Sequence, residues 1–254
     1  MIVDCNVSLG HWPFRRLRDA DPAGFVRWMD DCGVTQAWVA PFEAILFGPV
    51  QEANEMLAEA LEGYEDRLIQ VPVVNPAYPG WEDDLRELLE QPGPALRLLP
   101  NYHGYSLDGP ELAQLLRALA GAGRVVQIMV RVQDERHHHP RVMVPPVDLQ
   151  PLRHLAAAHP QLQFVVLNAN VAEILTVTGD APPPNCHFDI SHVEGIGGVG
   201  DLVASIGADH VLFGSHAALQ LIESAVLKIT EADLTDAQRA AVLYGNAQRL
   251  QAGV

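Results

Sequence analysis

The sequence predicts an α/β fold, a single (β/α)8 TIM barrel that covers residues 1–254, and three observations predict it. Short apolar runs alternate with amphipathic stretches from end to end, and eight strands that are each followed by a helix require parallel pairing with helical crossovers. A chain of 254 residues has the length that one such barrel commonly takes. No glycine-rich phosphate turn follows the first strand, which argues against a doubly wound open sheet.

The strands are assigned to the short apolar runs. The fifth run, residues 125–130, is apolar at nearly every position, as in a parallel strand buried on both faces. The other runs share its short length, which is typical of strands rather than helices. In chain order, the strands are predicted at residues 2–6, 36–40, 68–74, 95–99, 125–130, 163–167, 187–190 and 210–213.

The helices are assigned to the amphipathic stretches that separate the strands, with a last helix that closes the chain. The alternation is interrupted once, by the long irregular segment 131–146, and irregular segments of this length in barrels often carry function. In chain order, the helices are predicted at residues 23–32, 50–63, 81–89, 110–122, 149–159, 171–177, 199–206, 217–230 and 236–250.

Composition narrows the class of protein. Hydrophobic residues make up 48% of the chain, enough for a sizeable core, but no apolar run approaches the roughly 20 residues that span a bilayer. The first strand begins at once, so we expect no signal peptide. The three cysteines, Cys5, Cys32 and Cys186, are too far apart to form a disulfide framework or a zinc ribbon. We therefore expect a cytoplasmic protein with reduced thiols.

The charge balance narrows the class of partner. The chain has 16 basic and 32 acidic residues, for a net charge of −16. An excess of negative charge argues against nucleic acid and against an anionic membrane surface as the partner. We therefore expect a small-molecule substrate, with neither nucleic acid nor a membrane as partner.

Several segments resemble one family in the right order. The first strand alternates so that Asn6 and Ser8 point to one face, where it would meet the barrel mouth. The other segments are EAILF at 43–47, VVNP at 73–76, RLLPNYHGY at 97–105, VLFGS at 211–215 and YGNAQRL at 244–250. Together they are similar to the amidohydrolase superfamily, and in particular to its amidohydrolase-related branch, which includes aminocarboxymuconate-semialdehyde decarboxylase. The resemblance implies an amidohydrolase-like TIM barrel over nearly the whole chain.

The metal ligands of that family are replaced in this sequence. The resemblance implies histidines at positions 6 and 8, a histidine ending each of strands 5 and 6, and an aspartate after strand 8. The aligned residues are Asn6, Ser8, Met129, Asn168 and His216, and the strand 5 position could shift by two residues to Gln127 or Arg131. Zinc takes histidine, cysteine or carboxylate ligands, so of the five aligned side chains only His216 offers a suitable ligand. We therefore expect no metal ion and no other cofactor.

Two arginines are candidates for binding a substrate carboxylate. Arg15 lies in the first loop beside two aromatic residues, Trp12 and Phe14, and guanidinium groups bind carboxylates bidentately. The alternative is a charged surface turn. Arg97 lies inside an apolar strand and must have a polar partner, since a buried unpaired charge is too costly. The partner is predicted to be Glu43 or a substrate carboxylate, with a structural ion pair as the alternative.

Two further segments at the strand ends are rich in polar groups. Residues 131–140 form the densest polar cluster, and we expect Arg131, Glu135 and His139 to reach the pocket. A histidine and a carboxylate there could act as general base, because imidazole titrates near neutral pH. The alternative is an exposed loop braced by salt bridges. Strand 7 ends at Asp189, which we expect at the barrel mouth, and the sequence SH and a glycine-rich run follow it.

The leading hypothesis is a metal-independent hydrolase of the amidohydrolase-related type, acting on a small carboxylated lactone, ester or amide. The expected catalytic residues are His216, His139 and Glu135. The expected substrate-binding residues are those at the strand ends and in the first loops: Asn6, Ser8, Arg15, Glu43, Arg97, His103, Arg131, Asn168 and Asp189.

Two alternatives remain open. One is a metal hydrolase or decarboxylase with a relocated metal site built from His103, 137–139, His216 and Glu43. The other is a catalytically inactive protein of the same fold that binds a small anionic metabolite or a partner protein. In each case, analogy with the family suggests a homodimer.

Overall fold

The structure, a computed structural model, describes residues 1–253, apart from the side chain of His137. All strands pair in parallel. Every predicted strand is present, with shifts at the boundaries. In chain order the strands of this part of the chain are β1 (Val3–Leu9), β2 (Gln36–Pro41), β3 (Leu68–Gln70), β4 (Ala95–Leu98), β5 (Val125–Met129), β6 (Gln163–Leu167), β7 (Cys186–Asp189) and β8 (Val211–Leu212).

Two boundary shifts have clear causes. Strand β1 continues beyond the predicted end at residue 6, because its second half pairs with β2, with Ser8 opposite Ala40. Strand β3 ends earlier than predicted, because Pro72 has no N–H to donate to a neighbouring strand. The register of β1 against β2 is irregular between Asp4 and Val7, and such bulges redirect side chains next to binding sites.

The strands form a three-stranded sheet, β1–β2–β3, and a five-stranded sheet, β4–β5–β6–β7–β8. Backbone hydrogen bonds join the two sheets at both junctions. Between β3 and β4, Arg97 N donates to Pro72 O and Val74 N donates to Arg97 O. Between β8 and β1, Cys5 N donates to Phe213 O and Ser8 N donates to Ala217 O. The fold is the predicted α/β TIM barrel.

Helices follow the strands along the chain. In residues 1–253 they are α1 (Pro22–Cys32), α2 (Gln51–Ala60), α3 (Trp81–Glu90), α4 (Pro100–His103), α5 (Pro110–Ala118), α6 (Leu152–Ala158), α7 (Val171–Thr178), α8 (Gly198–Ile206), α9 (Ile222–Glu231), α10 (Asp236–Ala240) and α11 (Asn246–Gln251). Short 3₁₀ turns lie at Glu43–Ile45, Glu135–His137 and Ala208–His210, and a π-helical turn at Ala241–Gly245 joins α10 to α11.

Helix α9 begins five residues later than the predicted start at residue 217. The segment before it is held in another conformation, because His216 has a left-handed φ of 59°. Ala217 then pairs with β1 as an isolated parallel bridge to Val7. The residues predicted as the first turn of the helix therefore extend the barrel wall and place His216 at its edge.

The barrel interior changes from apolar to polar along the strands. By strand alternation, Arg97 and Gln127 face inward together with apolar neighbours such as Leu99 and Met129. At the carboxyl ends of the strands, which we call the barrel mouth, buried polar side chains replace the apolar ones. No helix of the described residues has the length and apolar character needed to cross a membrane.

Candidate active site at the barrel mouth

A buried network of polar side chains fills the barrel just below its mouth. We call it the polar layer, and each of its members is less than 3% exposed. Strands β1 and β4 to β8, with the residues that follow them, contribute its members: Asp4, Asn6, Ser8, Arg97, Gln127, Asn168, Asp189, Ser191, Ser215 and His216.

Arg97 is the cation of the polar layer. Its Nε donates to Gln127 Oε1 at 2.9 Å, and its Nη1 donates to Ser8 Oγ and Val7 O, both at 3.0 Å. Burial lowers the pKa of Arg97 to about 10, and the negative groups around it act in the opposite direction. The guanidinium therefore stays charged at neutral pH, held by neutral hydrogen-bond acceptors.

The expected pairing of Arg97 with Glu43 is wrong. Glu43 lies in the 3₁₀ turn after β2, where its Oε1 accepts from His11 N at 2.7 Å. A Cβ placed on Gly10 would lie 2.3 Å from Glu43 Oε2, so the glycine allows this close approach. Glu43 therefore anchors the first loop.

Two carboxylates face the same interior. Asp189 Oδ2 accepts from Asn6 Nδ2 at 2.7 Å, and its Oδ1 accepts from Asn168 N at 2.9 Å. Asp4 Oδ2 accepts from Ser215 Oγ at 2.5 Å, and its Oδ1 accepts from Ser215 N at 3.0 Å. Burial raises the pKa of Asp4 to about 7 and that of Asp189 to about 6, although these hydrogen bonds act to lower both.

The polar layer ends at Asn168 and His216. Asn168 Oδ1 accepts from Asn6 Nδ2 at 2.7 Å, while its Nδ2 lies 3.3 Å from His216 Nδ1. His216 Nε2 lies 2.7 Å from Val132 O and donates to it, because a carbonyl oxygen can only accept. Burial lowers the pKa of His216 to about 3, so the ring is neutral and both of its nitrogens are engaged.

Gly214 allows the polar layer to pack closely. A Cβ at this position would lie 2.5 Å from Asp189 Oδ2 and 3.1 Å from Asn6 Cβ. We expect Gly214→Ala to lower the free energy of unfolding by about 1–3 kcal/mol, the usual cost of overpacking a core. Urea denaturation measures this, with Gly245→Ala as control, because a Cβ at Gly245 comes no closer than 3.5 Å to a neighbour. Equal stability of the two variants would contradict this packing.

The raised pKa of Asp4 predicts a dependence of stability on pH. The carboxyl group of Asp4 has a pKa of about 7 in the folded state, whereas its pKa in the unfolded chain is 3.8. The group therefore stabilises the folded state fully below pH 3.8, and this contribution is lost as the pH rises through about 7. Asp4→Asn has no such proton, so its stability relative to the natural protein should improve between about pH 5 and about pH 8. Urea denaturation at both pH values measures this, and a constant difference would refute it.

A cavity of about 420 Å³ opens above the polar layer, and we call it the inner lobe. A second cavity of about 640 Å³, the outer lobe, shares Asp134, Arg136, His192 and Glu194 with it. The inner lobe is otherwise lined by Phe14, Arg15, Val132, Gln133, His216, Leu219 and Gln220. The outer lobe is otherwise lined by Arg131, Glu135, Pro146, Asn170, Val171 and Ala172.

His192 lines both lobes and is half-buried. Its Nδ1 lies 3.3 Å from Ser191 Oγ, which also faces two acceptors, Asn168 Oδ1 at 2.7 Å and Asp189 Oδ1 at 3.1 Å. Because the hydroxyl has one hydrogen, Oγ accepts from His192 Nδ1–H, and Nε2 keeps its lone pair. Burial lowers the pKa of His192 to about 4. Lys228 Nζ supports this turn by donating to Ile190 O at 3.1 Å and Ser191 O at 2.7 Å.

Two of the predicted arginines, Arg15 and Arg131, line the cavities, and the third does not. Arg15 is exposed in the inner lobe, and its Nη2 donates to Leu219 O. Arg131 lines the outer lobe, where it forms an ion pair with Glu173. Arg97 lies in the polar layer and lines neither lobe.

The predicted histidines are distributed differently from the expectation. His216 forms part of the floor of the inner lobe. His139 lines neither lobe: it is exposed, its ring stacks on Phe14 with centroids 6.0 Å apart, and its Nδ1 accepts from Arg141 N. His103 Nε2 contacts Ala44 O at 2.8 Å, also outside both lobes. The expected pairing of His139 with Glu135 is not seen, because His139 turns toward the first loop.

A relocated metal site is not seen in the described part of the chain. No group of three or more histidine, cysteine, aspartate or glutamate side chains there is arranged to hold a metal ion. His103 and Glu43, two members of the predicted alternative set, are bound to backbone groups. The side chain of His137, another member, lies outside the described residues.

Comparison with known proteins identifies relatives. A family model described as amidohydrolase matches residues 10–250. No curated protein matches the sequence. The solved structure of 2,6-dihydroxybenzoate decarboxylase from Rhizobium is similar with a TM-score of 0.77 and 15% identity, over 99% of this chain and 98% of that one. For 5-carboxyvanillate decarboxylase from Sphingomonas paucimobilis the TM-score is 0.78 at 15% identity, with the same coverage.

A third similar structure is a dihydroxybenzoic acid decarboxylase from Polaromonas, with bound manganese and the inhibitor 2-nitroresorcinol. Its TM-score is 0.76 at 14% identity, over 99% of this chain and 96% of that one. At these identities the likeness shows the common fold. The fold alone does not determine the chemistry of this chain.

Proposed function

The chain belongs to the amidohydrolase family, and from that premise we propose that it hydrolyses a small carboxylated lactone, ester or amide at the barrel mouth without a metal ion. The carboxylate binds Arg15, which is exposed in the inner lobe. His192 acts as the general base that activates the attacking water. This assigns to His192 the role that we expected of His216 or His139.

The observation that carries the proposal is the orientation of the His192 ring. The Ser191 hydroxyl faces two acceptors, Asn168 Oδ1 and Asp189 Oδ1, and with its hydrogen directed to them the neutral ring has its proton on Nδ1 and offers the Nε2 lone pair. The cavities on both sides of the ring give a water and a carbonyl room beside it. A neutral imidazole that lines a cavity is the usual general base of hydrolases.

The residues at the family's metal positions do not fit a divalent ion. Asn6 directs its amide N–H groups at Asn168 and Asp189, and His216 has both ring nitrogens engaged. Ser8 Oγ accepts from Arg97, so a permanent cation already lies at this position and would repel a second one. We therefore derive no catalytic step from a metal ion.

A second candidate function is binding without catalysis. The polar layer favours it, because hydrogen bonds join the side chains from β1, β4 and β6 to β8 into a network, while burial keeps the His216 ring neutral. In this case the inner lobe binds a small organic anion, and Arg15 supplies the charge. Decarboxylation, the activity named for the similar structures, has no specific support in these residues.

Turnover after exhaustive chelation separates these functions. The untagged protein is incubated with a panel of carboxylated lactones, esters, amides and aromatic acids, with and without chelator. We expect hydrolysis of at least one substrate at the same rate under both conditions. Loss of activity on chelation that zinc or manganese restores would refute the proposal. No turnover, together with a melting temperature raised by a carboxylate, would favour the binding protein.

A further inference from the structure

The two lobes are lined by exposed side chains of opposite charge that form no salt bridge with another described residue. In the inner lobe, Arg15 is exposed and forms no ion pair with a described carboxylate. In the outer lobe, Glu135 is exposed, and so is Glu194 on the wall that both lobes share. Neither glutamate forms a salt bridge within residues 1–253, although Glu194 lies close enough to Arg136 and Lys228 to interact with both electrostatically.

The other charged groups around the lobes are already compensated. Arg131 is paired with Glu173, and Arg136 is paired with Asp134, with Nη2 to Oδ2 at 2.7 Å and Nε to Oδ1 at 2.8 Å. What remains is the cation of Arg15 in the inner lobe, the carboxylate of Glu135 in the outer lobe, and Glu194 on the shared wall, whose charge Arg136 and Lys228 offset only in part. A ligand with negative charge alone would match the first end and be repelled by the second.

We propose that the natural substrate is zwitterionic, with a carboxylate that binds Arg15 and an ammonium group that binds Glu194 and Glu135. This inference rests on the proposed function and names its substrate class. The scissile carbonyl lies between the two charges, opposite His192, which lines both lobes.

The side chains that line the inner lobe indicate which chemical groups the middle of the substrate carries. Phe14, Val132 and Leu219 line the inner lobe and offer an apolar surface for a ring or a short aliphatic chain. The substrate class is therefore an amino-acid-like ester, amide or lactone with a short apolar spacer. Net charge supports the choice, because a protein with a charge of −16 attracts ammonium groups and repels simple anions.

Calorimetric titration with non-reactive probes tests the preference for a zwitterion and does not require turnover. The probes are para-(aminomethyl)benzoate, para-methylbenzoate and para-methylbenzylamine, which match in shape and differ in charge. At low salt we expect the zwitterion to bind about threefold to tenfold more tightly than either singly charged probe, since exposed ion pairs contribute modestly. The advantage should shrink as salt is added.

Variants test which residues bind the carboxylate and which bind the ammonium group of the probes. The double substitution Glu135→Gln and Glu194→Gln should abolish the advantage of the zwitterion over para-methylbenzoate, whereas Arg15→Gln should weaken both carboxylate probes. Glu87→Gln, on the exposed face of α3 and in neither lobe, is the matched control and should change nothing.

Three results would overturn the inference: a simple anion that binds as tightly as the zwitterion, an unchanged preference in the double variant, or no binding of any probe. The probe titration and the hydrolysis assay together distinguish failure of this inference from failure of the proposed function. If the zwitterion is preferred and no substrate of that class is hydrolysed, the ligand class stands and the hydrolase proposal is refuted. If substrates are hydrolysed and the singly charged anion binds more tightly than the zwitterion, the proposed hydrolase function is supported and the proposed zwitterionic substrate class is refuted.

Discussion

Arg97→Met is expected to lower the free energy of unfolding by about 2–5 kcal/mol, because each buried acceptor left without its donor costs about 1–3 kcal/mol. Without the guanidinium, Gln127 Oε1 and Ser8 Oγ lose their donor, and a cation that interacts with the buried Asp189 is gone. Urea or guanidinium denaturation at neutral pH measures the loss. The methionine has a similar length and no charge, so the variant removes the interaction with little change in volume.

Two further variants make this result specific. Arg86→Met changes the same residue type in an exposed pair with Asp83, where both side chains are more than two-thirds exposed, and it should cost no more than about 0.5 kcal/mol. Arg97→Lys keeps the charge but lacks the fork that reaches Gln127 and Ser8 together, so it should lie between the natural protein and Arg97→Met. A loss in Arg97→Met as small as in Arg86→Met would show that the polar layer does not depend on its cation.

His192→Asn is expected to reduce kcat/KM for the hydrolysed substrate by about 10²–10⁴-fold, the contribution typical of general base catalysis. The asparagine amide can still donate to Ser191 Oγ, but it has no basic nitrogen that faces the cavities. The melting temperature should therefore change little. His154→Gln, in the exposed part of α6, is the matched control and should keep full activity.

The pH profile gives an independent test of the same role. Burial lowers the pKa of His192 to about 4, so the base is neutral from neutral pH down to about that value. We expect kcat/KM to be flat over this range and to fall only as the pH approaches about 4. An acid limb centred near the ordinary histidine value, or one that is unchanged in His192→Asn, would assign the base to another residue.

The fold could be predicted because the pattern of apolar runs is local. The predicted strand over residues 163–167 is confirmed as β6 with the same boundaries. The larger errors came from pairing that the sequence does not display. The segment after β8 reads as a helix, yet Ala217 pairs with Val7 from the other end of the chain.

The site was less predictable, because side chains far apart in sequence decide it. The register of β4 against β5 places Gln127 beside Arg97, so the arginine has a neutral neighbour and needs no carboxylate from Glu43. No sequence pattern marks His192 as a site residue. Its orientation depends on the hydroxyl of Ser191, on Asn168 and on Lys228, and the one usable signal was its place after a strand end.

Metal analysis of the untagged protein tests the central claim most directly. The protein is produced in medium supplemented with zinc and manganese, beside the Polaromonas decarboxylase, whose structure holds manganese, as a positive control. We predict far less than one equivalent of metal, unchanged by Asn168→Ala or His216→Ala, while the control retains its ion. One equivalent of zinc or manganese that either substitution removes would contradict this account.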